Sequence, residues 1–404
     1  MSQPWKTDQW FTSSWNHADE VRANLQLSSR LQIHDVTLRD GEQQSGIVLD
    51  APQRLAIARQ LAAAGVHRIE TGMPAESAED AALLEILAGE NLGVQLMAFS
   101  RCDPKHVQIA RAHGATGIVV KTITSKHLLR EGAQRSVQWA IDTSIEAIAA
   151  ARQGGLYCVL FTIDATRTDF PAYLEFLEKV CDKASPDAIA VADSYGVALP
   201  GAIAFAVREL RKHFKQPIEI HCHNDFGLAT ACTLAGVAAG AEVAHVTVCG
   251  LGERAGNASL EETVMALRCL YGIDPNIRTE MLYDLSRMVQ ERARFSIPSN
   301  RAIVGNSLYS IETDVVAELH RRCKRTPLEY LPFLPEMAGR PGVEIALGKG
   351  SGKANVAEHL DERGLKLSAP LVDKLVTQVR DRSRYEKRLL TAVEFDALIS
   401  RVQE

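Results

Sequence analysis

The fold is decided by a pattern that begins at residues 31–40, which read LQIHDVTLRD. There a short apolar run rich in β-forming residues ends in the charged pair Arg39 and Asp40. Further β-rich runs follow at 67–71, 94–99, 117–121, 157–163, 188–192, 218–221 and 243–249. Amphipathic stretches of helical period, such as 52–64 and 137–151, separate the runs. Strands alternating with helices eight times over about 250 residues predict an α/β fold, the (β/α)8 TIM barrel.

Polar residues at the ends of the runs support the barrel independently, because a barrel carries its chemistry where strands end and loops begin. These residues are Arg39, Asp40, Glu70, Ser100, Arg101, Asp164, Asp193, Ser194, His221 and His223. An open doubly wound sheet is the alternative, but it would use only the strands near its switch point. The spread over many runs therefore favours the closed barrel.

Segments on both sides of the barrel complete the predicted domain organisation. Residues 1–30 form an N-terminal arm whose aromatic residues are expected to pack on the barrel or on a second subunit, since a free tail would expose their rings to water. Residues 31–272 form the catalytic barrel. Residues 273–404 are predicted to be mostly helical, with interruptions at prolines and at the glycine-rich stretch 348–352.

Composition and charge exclude several classes of function. The 404 residues carry 45 basic and 50 acidic side chains, so the net charge of −5 predicts no nucleic-acid partner. No apolar run approaches the roughly 18 to 20 residues of a membrane span, and the N-terminus lacks the apolar stretch of a signal peptide. We therefore expect a cytoplasmic protein without a membrane partner. The eight cysteines include no C-x-x-C pair and are expected to be reduced core residues.

Two motifs place metal-binding residue types at strand ends. In H-C-H-N-D, His221 and His223 point to the same side of a strand because side chains alternate. Two such imidazoles suit a metal ion, although a pair of hydrogen-bonded histidines fits equally well. T-L-R-D-G-E-Q at 37–43 supplies Asp40 beside Arg39, which alone would fit a strand-end ion pair. Closure of the barrel would bring Asp40 to both histidines, and that donor set predicts a divalent cation.

Glycine-rich motifs at two places do not predict nucleotide loops. G-L-G-E-R-A-G-N at 250–257 follows the last run instead of opening a first βαβ unit, and Glu253 and Arg254 would crowd a pyrophosphate. The stretch 348–353 has Leu347 where a phosphate loop requires a glycine. NAD and nucleoside triphosphates are therefore not expected as ligands.

Together, T-L-R-D-G-E-Q, H-C-H-N-D-F-G-L-A and G-L-G-E-R-A-G-N resemble the acyl-CoA-dependent synthases of the 2-isopropylmalate, homocitrate and citramalate type, relatives of the hydroxymethylglutaryl-CoA lyases. The resemblance spans about 31–272. It implies a TIM-barrel enzyme, a homodimer, that condenses an acyl-CoA, most simply acetyl-CoA, with a 2-oxo acid and then hydrolyses the thioester. It also implies one divalent metal ion, Mn, Zn, Mg or Co. The third motif favours the synthases over the lyases.

The resemblance also implies roles for individual residues. The implied metal ligands are Asp40, His221 and His223, with Asn257 as a further ligand or its close support. Arg39 would be a catalytic cation that stabilises developing negative charge. The implied substrate-binding residues are Gln43, Glu70, Asp164 and Ser194.

Departures from the family pattern concern the acceptor and the base. Ile163 stands where relatives carry a glutamate, so a small or apolar 2-oxo acid is expected in preference to 2-oxoglutarate. The family motif H-E-x-G-I-H, which supplies a catalytic histidine from a neighbouring subunit, reads I-E-T-D-V-V at 311–316, and G-K-H-S-G reads G-K-G-S-G at 348–352. The candidate bases are then Glu312, Asp314 and His320, with Glu312 ranked first and a structural ion pair as its alternative. A lyase on the same site and an inactive metabolite-binding protein also stay open.

Overall fold

The structure, a computed structural model, describes residues 3–403. The chain divides into two compact units. One comprises residues 14–297, and the other combines the described part of 1–13 with 298–403. The predicted arm, residues 1–30, is thus shared between the units, and the region boundaries at 30 and 272 stay a prediction.

The unit of residues 14–297 contains a closed barrel of eight parallel strands in chain order, which confirms the predicted TIM barrel. The strands are β1 Gln32–Asp35, β2 Arg68–Glu70, β3 Gln95–Arg101, β4 Gly117–Ile123, β5 Tyr157–Ile163, β6 Ala188–Asp193, β7 Ile218–Cys222 and β8 Val243–Val246. The ring closes between β1 and β8, where Gln32 pairs with Val243 and Asp35 pairs with Val246.

Helices surround the barrel and begin at residues that favour helix starts. They are α1 Asp19–Arg22, α2 Ala51–Ala64, α3 Ala78–Glu90, α4 Pro104–Ala112, α5 Val137–Gln153, α6 Phe170–Cys181, α7 Pro200–His213, α8 Ala229–Ala238, α9 Leu260–Ala266 and α10 Leu282–Ala293. Asp50 and Gln53 form a capping box at the start of α2, and Ser77 and Ser136 cap α3 and α5 through their hydroxyls. Each cap satisfies a backbone N–H that the first turn of a helix leaves unpaired.

The first and last strands are shorter than their β-rich runs. After Asp35 the chain turns sharply, and the carbonyl of Val36 accepts the backbone N–H groups of Arg39 and Asp40. After Val246 a short 3-10 turn begins at Val248. Apolar residues continue through both turns because the turns themselves are buried. The turn after β1 places Arg39 and Asp40 at the carboxyl rim of the barrel.

The barrel interior combines apolar and charged side chains. Its apolar part is formed by Met97, Phe99, Val119, Val159, Phe161, Ala188, Ala190 and Ala192. A second group, here called the inner charged layer, consists of His34, Arg68, Glu219 and His245, all buried. Within it, Arg68 Nη1 donates to Glu219 Oε1 at 2.6 Å, and His245 Nε2 lies 2.8 Å from Glu219 Oε2. The buried carboxylate is therefore neutralised inside the barrel.

The second unit combines helices with a small two-stranded sheet, and the mostly helical character expected of residues 273–404 stays a prediction. Its helices are α11 Asp314–Arg322, α12 Lys353–Glu362, α13 Ala369–Glu386 and α14 Ala392–Gln403, and its two strands are β9 Ser310–Ile311 and β10 Glu344–Ile345. The last three helices enclose a core that includes Leu360, Val379 and Phe395. The backbone of Trp10 pairs with that of Phe333 in this unit. The expectation that the arm aromatics pack on the barrel or on a second subunit stays a prediction.

Across residues 3–403, no helix combines the length and apolar character that crossing a membrane requires. Within residues 3–403 none of the eight cysteines forms a disulfide bond. Five of them are buried, while Cys102, Cys181 and Cys323 are only partly buried. The interpretation as core residues thus holds for most of the set and not for these three.

Asp35 at the end of β1 should make stability depend on pH. Burial raises the pKa of Asp35 to about 7, although Thr37 donates hydrogen bonds to both of its carboxylate oxygens. Because the unfolded value is about 3.9, the folded state binds this proton more tightly, so its contribution is full below pH ~4 and is lost as the pH rises to ~7. We expect the stability of wild type relative to Asp35→Asn to fall over that interval, by at most about 1.4 kcal/mol per pH unit. Urea unfolding of both proteins between pH 4 and 8 measures it, and parallel curves would contradict it.

Candidate metal centre at the carboxyl rim of the barrel

Three side chains predicted as metal ligands meet at the carboxyl rim. Asp40 follows β1, His221 lies in β7, and His223 comes directly after β7. Asp40 Oδ2 lies 3.1 Å from His221 Nε2 and 3.6 Å from His223 Nε2, and the two Nε2 atoms are 3.3 Å apart. All three side chains are buried. This group, here called the rim cluster, gathers one carboxylate oxygen and two imidazole nitrogens within reach of a single cation.

Electrostatics favour the ionised form of Asp40 and the neutral form of His221. Burial opposes ionisation of Asp40, but the Arg39 guanidinium and the hydrogen bond from His221 hold the pKa of Asp40 well below its usual range. Burial lowers the pKa of His221 to about 3, although the Asp40 carboxylate acts in the opposite direction. A metal ion binds carboxylate and neutral imidazole, so Asp40 and His221 have the charge states that suit metal ligands.

Asn257 offers a fourth donor atom, an amide oxygen, next to His223. Its backbone pairs with that of His223, and its Nδ2 donates to the carbonyl of Leu251 at 3.2 Å. Its Oδ1 is buried and accepts no hydrogen bond from any residue in the described range 3–403. A Cβ atom at Gly252 would come within 2.3 Å of Asn257 Nδ2, so glycine is needed for this close approach. The free amide oxygen fits the donor set of a divalent metal.

Arg39 is held in one position by several partners. Its Nε donates to Glu70, and its Nη1 lies 3.3 Å from Gln43 Oε1 and 3.4 Å from Asp40 Oδ2. The guanidinium carbon lies 3.8 Å from the centre of the Phe99 ring. A guanidinium offers five N–H donors, so Arg39 keeps donor capacity at the rim after these bonds are made.

A cavity of about 210 Å³, here called the rim cavity, opens beside the rim cluster. The predicted site residues on its wall are Arg39, Asp40, Gln43, Ser194, His221 and His223. The other two predicted substrate-binding residues, Glu70 and Asp164, are fully buried and absent from this wall. Glu70 bonds to Arg39, while Asp164 accepts a hydrogen bond from Arg167 Nε at 2.6 Å. Their carboxylates are therefore already paired within the protein.

Comparison with known proteins places the chain in a family. Residues 30–289 match the model of the HMGL-like family. The chain belongs to the HMGL-like family. The homocitrate synthase AksA of Methanothermobacter thermautotrophicus is 36% identical over 386 residues, which cover 93% of this chain and 95% of that protein. The 2-isopropylmalate synthase of Methanocaldococcus jannaschii is 34% identical over 94% of this chain and 73% of its own. The resemblance drawn from the three motifs is confirmed.

Solved structures of HMGL-like proteins share the fold. The HMG-CoA lyase of Bacillus subtilis superposes with a TM-score of 0.61 at 19% identity, covering 67% of this chain and 96% of the lyase. At that identity the match supports the barrel and carries no information on the reaction.

Sequence reasoning missed several residues of the HMGL-like site. Lys121, Tyr195 and Arg254 line the rim cavity together with the predicted residues. Arg254 is fixed by Asp225, whose Oδ1 accepts its Nε–H at 2.8 Å. A signal for Lys121 was present, because a lysine ends the otherwise apolar run 117–121. Charged residues at the ends of other runs, such as Asp40 and Glu70, are among the predicted site residues for that reason.

The candidate base, Glu312, belongs to the C-terminal unit of the HMGL-like chain. Its Oε1 accepts the backbone N–H of Gly350 at 2.8 Å, and Gly348 lies against the same carboxylate. The glycines of the G-K-G-S-G stretch therefore let its backbone pack directly against the Glu312 carboxylate. The second candidate, His320, lies in α11 with its Nδ1 2.7 Å from the Tyr330 hydroxyl.

Proposed function

We propose that this chain catalyses a metal-dependent Claisen-type condensation of an acyl-CoA, with acetyl-CoA as the first candidate, and a 2-oxo acid. Hydrolysis of the thioester would then give a 2-alkylmalate-type product and free CoA. The observation that carries the proposal is the rim cluster, which opens into the rim cavity beside the fixed cation Arg39. Family membership and 34–36% identity to named homocitrate and isopropylmalate synthases support the same reaction.

Asp40, His221 and His223 would hold the divalent ion, with Asn257 Oδ1 as a further donor. When bound, such an ion supplies a Lewis acid for the keto oxygen of the oxo acid, which invites attack at the carbonyl carbon. One buried carboxylate and two buried imidazoles fit Mn, Zn, Mg or Co, and metal titration decides among them.

The remaining wall residues bind and orient the reactants. Arg39 would stabilise the negative charge that develops on oxygen, since its charge is permanent and its position is fixed before the reaction. Gln43 and Ser194 face the rim cavity and would contact the oxo acid directly. Glu70 and Asp164 would act as positioning residues, Glu70 through Arg39 and Asp164 through its backbone N–H, which donates to Ser194 Oγ at 2.9 Å.

The condensation requires loss of an α-proton from the acyl group, and Glu312 stays the first candidate for that base. Within residues 3–403 its carboxylate accepts one backbone hydrogen bond, from Gly350, and makes no ion pair that would hold it in a structural role. Glu312→Gln is expected to slow solvent deuterium exchange into the acetyl-CoA methyl by about 10²-fold, because the amide cannot accept the proton. Mass spectrometry of recovered acetyl-CoA measures the exchange, and metal content should not change. Exchange at the wild-type rate would pass the role to His320 or to water.

The proposed reaction is tested by titrating the thiol released when the metal-loaded protein meets acetyl-CoA and a panel of 2-oxo acids. Thiol release that depends on both substrates supports the synthase. No thiol with any acceptor and any of the four metals would refute it. Cleavage of a 2-alkylmalate-type or hydroxyacyl-CoA compound under the same conditions would favour the lyase, and binding without turnover would favour an inactive metabolite-binding protein.

A further inference from the structure

Lys121 presents an unpaired positive charge to the rim cavity. It lies in β4, is half-buried, and contributes to the cavity wall with Phe99, Phe161 and Ile163. Its Nζ lies 5.1 Å from the centre of the Phe99 ring. Within residues 3–403 its ammonium makes no hydrogen bond to an oxygen and no ion pair. Burial lowers the pKa of Lys121, although the charge of Glu76, which makes no ion pair with Lys121, acts in the opposite direction.

The other cations on this wall already have partners. Arg39 is paired with Glu70 and Asp40, and Arg254 is paired with Asp225. Among the Lys and Arg side chains on this wall, Lys121 is therefore the one without a carboxylate partner within residues 3–403. A half-buried ammonium that faced only apolar groups would lose hydration without compensation.

Strand order places Lys121 on the far side of the cavity from the rim cluster. In a closed ring of eight strands β4 lies opposite β8, and the rim cluster comes from β1 and β7, the two neighbours of β8. A 2-oxo acid held at the rim cluster by its keto and carboxylate oxygens would extend its other end across the cavity. That end would meet the Phe99 and Phe161 rings and then the ammonium of Lys121.

We propose that Lys121 binds a second anionic group at the far end of the 2-oxo acid, so that the preferred acceptor is a dicarboxylic 2-oxo acid. The inference rests on the proposed function and replaces the expectation of an apolar acceptor. That expectation followed from Ile163 in β5, but Lys121 sits one strand away, paired with Phe161 in the β4–β5 register. The positive charge that β5 lacks is thus supplied by β4.

The test compares Lys121→Met, Lys121→Gln and Lys121→Arg with wild type. The matched control is Lys126→Met, an exposed lysine that follows the same strand outside the cavity wall. Two dicarboxylic acceptors, 2-oxoglutarate and oxaloacetate, are compared with 2-oxobutyrate and 2-oxoisovalerate. Thiol release gives kcat/KM for each acceptor, and calorimetry with the metal-loaded protein gives the binding constant without turnover.

Wild type is expected to prefer the dicarboxylic acceptors. Lys121→Met and Lys121→Gln should lower kcat/KM and binding for them by about 10- to 100-fold, the usual effect of losing one charged hydrogen bond, and should leave the monocarboxylic acceptors unchanged or improved. Lys121→Arg should retain part of the preference, and Lys126→Met all of it.

If the Lys121 variants lose kcat/KM equally for every acceptor, the inference is overturned and Lys121 takes part in the chemistry. The same follows if these variants lose only the exchange of deuterium into acetyl-CoA. A wild-type preference for monocarboxylic acceptors would also overturn it while leaving the synthase standing. Failure of the proposed function looks different, since no acceptor would then release thiol. Calorimetric binding of 2-oxoglutarate that depends on Lys121 would still support the subsite in that case.

Discussion

His221→Ala is expected to remove stoichiometric metal from the protein and to lower kcat/KM at least ~10³-fold, the effect of losing several kcal/mol of charge stabilisation by the ion. Two nitrogens and one carboxylate oxygen form the rim cluster, and removing one nitrogen leaves two donors. Metal analysis after gel filtration and thiol release over a range of substrate concentrations measure the two losses. Retention of full metal occupancy in the variant would show that His221 is not a ligand.

The control must separate loss of metal from loss of fold. His221 is buried and packs edge-on against Phe161, with ring centres 5.0 Å apart, so the alanine variant also loses packing. His221→Leu keeps more of the volume without a donor atom and should show the same metal loss with a smaller shift in melting temperature. His213→Ala removes a partly exposed histidine paired with Glu178 and should change neither metal content nor activity.

Arg39→Met is expected to lower kcat by about 10²- to 10³-fold while the protein keeps its metal. The basis is loss of a fixed cation at the position where negative charge develops, which commonly costs about that factor. Steady-state kinetics and metal analysis measure it. Arg39→Lys should rescue little, because one ammonium cannot bond Glu70, Gln43 and Asp40 at once as the guanidinium does.

A matched substitution elsewhere isolates the role of position. Arg59 is also paired with a carboxylate, Glu90, but lies on the exposed side of α2. Arg59→Met should leave kcat unchanged. A kcat for Arg39→Met within a factor of about two of wild type would place charge stabilisation elsewhere, and Lys121 would be the next cation to test.

Spacing of the β-rich runs was enough to predict the barrel, because each run and each amphipathic stretch is a local property of the chain. The rim cluster followed from that topology, since closure alone brings Asp40 beside His221 and His223. Residue type and strand position do not predict the hydrogen bonds that Glu70 accepts from Arg39 and that Asp164 accepts from Arg167. Those pairings depend on neighbouring strands and on a left-handed backbone at Asp164, where φ is 61°.

Lys121 shows a different limit of sequence reasoning. Side chains of a barrel strand alternate between the interior and the surrounding helices, so a shift of one residue reverses the assignment. Only the register of β4 with β5, which pairs Lys121 with Phe161, places the lysine on the inside. The substrate preference inferred here therefore depends on strand register and could not be obtained from composition of the run.

The inner charged layer also has a consequence for how the chain assembles. His34 and Arg68 come from β1 and β2, whereas Glu219 and His245 come from β7 and β8, and Glu219 lies 151 residues after Arg68. The ion pair between Arg68 and Glu219 can therefore form only after β7 has joined the barrel. Burial of Arg68 before that point would leave the guanidinium without its counter-charge, at a cost of about 3 to 5 kcal/mol. The stability of the first strands is thereby coupled to the presence of the last two.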